Sequence, residues 1–252
     1  MRILRSNATQ TLTTRNLDQI VVILLAGTLL KILMGDASIR YTWLRAASWV
    51  LLASFATAIG LYSLRYGLSK VPNTPLPNFI ARPHWLIAHA LCASIALILG
   101  PWQFIGRLHR RWPILHRFAG GIYVVAVLVA WVCSVPVAMD AYTGEVASIG
   151  FLALGAFWIV ATLNAVKFLM RREFSEHKHW MIRSYALTSS AITLRVYLGF
   201  AFGLHLPREL SYSSIAWLCW VPNLLATEAF FLYRERQLRN YVARARSRIN
   251  KV

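Results

Sequence analysis

The chain has 252 residues, 58% of them hydrophobic and 14% charged, with a formal net charge of +18 at pH 7. Soluble domains carry about 25% charged residues, so this composition excludes an ordinary soluble fold. A strongly basic soluble protein would point to nucleic acid, but here the arginines sit at the ends of apolar runs, where they face lipid headgroups, and no nucleic-acid partner is expected.

Residues 1–18 are polar and rich in Thr, Asn and Arg, and form an N-terminal segment. The first apolar run, 19–35, is short and carries Lys31, so it either spans the membrane or lies in its interface. It lacks the small-residue cleavage site of a signal peptide. Runs at 41–63, 84–106, 115–139, 146–170, 181–203 and 212–232 follow. Each is near the roughly 20 residues that a helix needs to cross a bilayer. The expected fold is all-α: a polytopic membrane bundle of seven transmembrane helices, or six plus one interfacial helix. One transmembrane domain fills 19–232, and 233–252 is a basic tail.

The connections have their own character. Pro72, Pro75, Pro77 and Pro83 make 64–83 an extended loop. Residues 107–115 form a short basic loop closed by Pro113, and 171–180 a polar loop ending in Trp180. His109 and His179 fall in these loops and are expected to be solvated. The 140–145 loop is acidic, with Asp140 and Glu145. The tail has helix-favouring residues and many arginines, and is expected to lie on the membrane as a helix. The positive-inside rule places the basic loops and the tail in the cytoplasm. The expected location is a cell inner membrane, with anionic lipid headgroups as partners of the basic loops and tail. Cys92, Cys133 and Cys219 all lie inside apolar runs without C-x-x-C spacing, and read as structural thiols.

Polar residues inside a bilayer are expensive and normally face the bundle interior. Three runs carry them at helical spacing. The third run has His89, Ala93, Ala96, Gly100 and Gln103; the fourth has His116, Gly120, Tyr123, Val127, Trp131 and Ser134. The sixth has Ser184, Thr188, Ala191 and Arg195, and reaches back to His177 if the helix starts early. Steps of three, four and seven put each set on one face. By helix direction, Gln103, His116, Arg117, His177, Arg183 and Tyr185 gather towards the cytoplasmic side. His89 and Arg195 gather in the outer half. Glu228 lies near an interface and calls for no special role.

Imidazole is a common axial ligand of haem iron, and arginine pairs with propionates or other anions. His116 with His177 is the expected metal-ligating pair of a b-type haem. His89, Gln103, Tyr123, Arg183 and Arg195 are further candidate cofactor-binding residues, for haem or a quinone, with a redox protein as partner. Each has a plainer reading beside it: His116 as a headgroup contact, His89 as a residue bonded to the next helix, Arg195 as a snorkelling side chain. Acids are scarce, which weakens proton- or sodium-driven carriers. No H-E-x-x-H, G-x-S-x-G, P-loop or G-x-G-x-x-G is present.

The runs Leu115-His116-Arg117-Phe118-Ala119-Gly120 and His177-Lys178-His179-Trp180-Met181-Ile182-Arg183-Ser184-Tyr185-Ala186-Leu187, with Thr193-Leu194-Arg195, resemble the bacterial membrane family called domain of unknown function 2306. His89 and Gly100-Pro101-Trp102-Gln103-Phe104 share the likeness, which covers about 84–200. It implies a membrane bundle with His177 as the characteristic histidine of H-x-x-W-M-I-R-S-Y, and assigns no activity. The L-H-x-x-x-G opening at Leu115 is also similar to transmembrane di-haem b-type cytochromes. The fifth run has no histidine and His89 has no mate within a span, so the resemblance implies one haem at most. The alternative is a non-enzymatic small-solute or lipid-binding transporter, or an accessory membrane subunit.

Overall fold

The computed structural model describes residues 37–65 and 81–249. The first apolar run and most of the Pro-rich loop lie outside the described residues. Every regular element among the described residues is a helix. In chain order they are α1 (Ala37–Leu64), α2 (Pro83–Gln103), α3 (Gly106–Arg111), α4 (Pro113–Met139), α5 (Glu145–Met170), α6 (Phe174–Thr188), α7 (Ser190–Gly203), α8 (Arg208–Leu218) and α9 (Val221–Ile249). Among the described residues, five segments are long and apolar enough to cross a membrane: Ala46–Leu64, Pro83–Gln103, Pro113–Met139, Glu145–Met170 and Glu209–Arg244. The protein is a multi-pass membrane protein. The chain divides into two units, Met1–Leu51 and Leu52–Val252. The second unit holds α1 from Leu52 onward and all of α2 to α9.

Helix starts follow proline chemistry. Pro83 and Pro113 occupy the first helical positions of α2 and α4, where a missing N–H costs nothing. Helices α2, α4, α5 and α6–α7 alternate in direction, so their ends form two sets. We call the set holding α3 and the α5–α6 connection the basic end. At the opposite end, Arg82 pairs with Asp140 at 2.8 Å and Ser213 donates to Thr143 at 2.7 Å.

The polar loop expected at 171–180 is much shorter. Helix α6 begins at Phe174, because a polar first turn is tolerated where a helix leaves the headgroup layer. His179 therefore lies on α6 rather than in a loop, its ring 4.8 Å from that of Phe231 on α9. The sixth run is broken at Ser189, whose hydroxyl donates back to Ala186 O at 2.8 Å. Hydroxyl back-bonding of this kind bends helices. The last span is broken at Cys219–Trp220, just before Pro222. The two breaks adjoin: Thr193 donates to Cys219 O, and Asn223 Nδ2 lies 3.3 Å from Ala186 O and 3.2 Å from Cys219 O.

The core is built from small residues and a few large rings. Ala96, Tyr123, Val127, Ala130, Ala165 and Cys219 are fully buried. In lipid, association depends on close packing rather than on the hydrophobic effect. Leu52, Ala56 and Ile59 of α1 pack on Leu97 of α2 and Ile192 of α7.

Candidate functional site

The polar faces of α4 and α6 meet about half-way along the bundle. Tyr123 OH lies 2.9 Å from Ser184 Oγ and 2.8 Å from Thr188 Oγ1. Thr162 of α5 approaches Ser184 Oγ at 2.8 Å, and Trp158 Nε1 donates to Thr188 Oγ1 at 2.9 Å. Tyr123, Thr162 and Ser184 have no exposed surface. The donors can be assigned. Thr188 donates to Ser184 O, so it accepts from Trp158 and Tyr123. Thr162 likewise donates to Trp158 O at 2.9 Å, so it accepts from Ser184, and Tyr123 gives its proton to Thr188. Each hydroxyl donates once, which leaves no polar atom of the set unsatisfied in the hydrocarbon. Tyr123 thus closes a network among protein groups.

Nearer the basic end, Gly100-Pro101-Trp102-Gln103-Phe104 interlocks with Arg183-Ser184-Tyr185. Pro101 has no N–H for the carbonyl four residues back. That carbonyl, Leu97 O, accepts from Tyr185 OH at 3.3 Å. The Tyr185 ring lies against Gly100, and the Phe104 ring centre is 5.6 Å from that of Tyr185. Gln103 Oε1 is buried without a hydrogen-bond partner among the described residues and would sit 3.5 Å from a Cβ at Gly120.

His116 lies one helical turn from Gly120 towards the basic end, half-buried. Helices α4 and α6 both start at that end, so they run parallel. From the Tyr123–Ser184 contact, seven residues back leads to His116 on α4 and His177 on α6. Seven residues rise about 10.5 Å, so each histidine lies on the face of its own helix that carries this contact, at a similar depth. His177 Nδ1 lies 2.8 Å from Ala165 O of α5. A carbonyl only accepts, so Nδ1 carries a proton, and Nε2 is the ring nitrogen left to act as acceptor or ligand.

Arg183 is held differently. Its Nε and a terminal nitrogen donate to the two oxygens of Glu228 at 2.6 and 2.9 Å. Its guanidinium carbon sits 4.7 Å from the Trp180 ring centre and 4.9 Å from that of Phe231. Glu228 thus has a definite role that its sequence position did not suggest: its partner is 45 residues away. The pair is partly exposed, 21% for Arg183 and 41% for Glu228. Breaking it should therefore cost less than the 3–5 kcal/mol of a fully buried pair, about 1–2 kcal/mol. Glu228→Gln and Arg183→Gln should each lower the thermal midpoint in detergent by a few degrees. The double variant should lose less than the sum of the two, and strict additivity would dissolve the pairing.

In the other half of the bundle, His89 Nδ1 lies 2.9 Å from Ala130 O of α4. Arg195 donates to Ala191 O and to Ser63 Oγ, both at 2.9 Å. Ser63 is 2% exposed, so the guanidinium is anchored between α7 and α1. The structure brings His116, His177 and Gln103 to one end, and His89 and Arg195 to the other half. Among the described residues, no three His, Cys, Asp or Glu side chains form a metal-binding group. Trp158, Thr162 and Asn223 join the polar interior without having stood out in the sequence.

A family model described as "Predicted membrane protein (DUF2306)" matches residues 86–231, more than half of the chain. The chain belongs to this family. Its match to DUF2306 runs from α2 into α9. It therefore takes in the Arg183–Glu228 pair and both helix breaks as well as the histidine-bearing motifs. No curated protein and no solved structure matches the chain.

Proposed function

We propose that this DUF2306 protein binds a haem or quinone-like cofactor at the basic end of the bundle, between the faces carrying His116 and His177, for membrane redox chemistry. We place that end, with the C-terminal tail, on the cytoplasmic side of a cell inner membrane. Support for the orientation comes from the arginine bias of its loops. The observation that carries the cofactor reading is the His177 ring. Its Nδ1–H is committed to Ala165 O, which makes Nε2 the ring nitrogen that can bind a ligand. An imidazole held this way is suited to ligate haem iron or to accept a hydrogen from a quinol hydroxyl. His116 supplies a second imidazole at a similar depth, so these two residues are the axial ligands the haem form would use.

The test is a visible spectrum of detergent-purified protein grown with ample haem, oxidised and then reduced with dithionite, with quinone extraction alongside. A Soret band that sharpens with α and β bands, and is lost in His177→Ala and His116→Ala at unchanged folding, is expected for the haem form. A colourless protein that yields no quinone sinks both forms. A second reading, a solute or lipid carrier or accessory subunit, draws on the adjoining breaks at Ser189 and Cys219–Trp220. Interrupted helices side by side are a recurrent feature of carriers. Binding of an anionic solute, lost in Arg195→Gln at normal folding, is the outcome that favours it.

A further inference from the structure

We infer that the groove between α2 and α4 is a discrete binding site for an anionic phospholipid, one acyl chain lying in the groove and the headgroup held by Arg117. The groove has a volume of ≈ 600 Å³, within the range of roughly 300–1,000 Å³ typical of ligand sites. Ile95 forms one wall, and Gly121, Val125 and Val129 the other, with Arg117 and Phe118 at the basic-end mouth. This face of α4 is distinct from the one that carries His116, Gly120 and Tyr123. The groove faces outward: Phe118 is 67% and Val125 60% exposed.

Three features select the occupant. The first is length: twelve residues from Arg117 to Val129 rise about 18 Å, close to one leaflet of a hydrocarbon core about 30 Å thick. A single acyl chain entering from the basic end would fill it. The second is charge. Arg117 is exposed at the mouth, Arg110 and Arg111 are exposed at the end of α3 before it, and no described Asp or Glu is ion-paired with Arg117. The amides of the first turn of α4 point to the same end, and Pro113 starts the helix there. A helix start and a guanidinium together favour a phosphate. The third is the floor: a Cβ at Gly121 meets nothing within 4 Å. The gap there comes from a missing side chain, and no described neighbour fills it.

Native mass spectrometry on protein released from membranes of phosphatidylglycerol and phosphatidylcholine with matched chains tests the site. The wild type should retain one phosphatidylglycerol in preference to phosphatidylcholine by at least about tenfold. Arg117→Gln should cut that preference about fivefold, the share of one basic residue at a lipid surface. Gly121→Phe should fill the groove and abolish retention of the lipid while leaving the thermal midpoint unchanged. Equal retention of the two lipids by the wild type overturns the site, as does a preference that survives Arg117→Gln undiminished. Recovery of a quinone in place of the phospholipid, or of a dimer that Gly121→Phe splits, overturns it too. Arg117 is exposed, so its variant keeps the test decisive if Gly121→Phe fails to fold.

Discussion

Gly100→Ala is expected to cost the bundle about 2–3 kcal/mol, and Gly100→Val more. A Cβ at this position would overlap Cδ2 and Cε2 of Tyr185. The ring cannot swing aside freely. It is 5% exposed, its hydroxyl is bonded to Leu97 O, and Phe104 lies on its other side. Relief would require α2 and α6 to separate, which would open contacts along both helices. The measurement is thermal unfolding in detergent, run as a double-variant cycle with Tyr185→Leu. Once Tyr185→Leu has removed the ring, the alanine methyl has room, so the same change should cost less than about 1 kcal/mol. A cost that does not depend on residue 185 would mean that Gly100 matters through the backbone instead.

The spans of this protein are legible because the bilayer imposes a length on them. Pro83 and Pro113 then fix two of the starts to within a residue or two. The inward faces are legible as well, since His116, Tyr123, Ser184 and Thr188 recur at helical spacing. Periodicity assigns a residue to a face, however, and says nothing of what it meets there. Tyr123 and Ser184 meet each other, while Arg183 meets Glu228, an acid that looked like an ordinary interfacial residue. Such pairings depend on how far apart α4, α6 and α9 stand, which is a property of the packed bundle. The break at Ser189 was hidden for a related reason: a serine pair in an apolar run looks the same whether its hydroxyls face a ligand or bond back to the helix. The early start of α6 could be raised only as a condition, because a polar stretch beside a membrane also reads as a loop until His179 is seen against Phe231 of α9.

The hydroxyl network at mid-depth yields the other large effect. Tyr123→Ala should destabilise by about 3–5 kcal/mol, the usual cost of emptying a buried aromatic site. Tyr123→Phe should cost only about 1 kcal/mol, since hydrogen bonds between membrane helices average roughly 0.6 kcal/mol. The phenylalanine keeps the ring packed against the same neighbours, and Ser184 keeps Thr162 as its acceptor. Thr188 keeps the Trp158 indole as a donor and Ser184 O as an acceptor. The gap between the two variants separates packing from hydrogen bonding. The same pair bears on any cofactor at the basic end. If Tyr123 acts only as a brace two turns from His116, Tyr123→Phe should leave cofactor content and spectrum unchanged. A shifted spectrum or lost cofactor in Tyr123→Phe, with the thermal midpoint near that of the wild type, would instead put the phenol hydroxyl in contact with the ligand. It would also make the network part of the binding site.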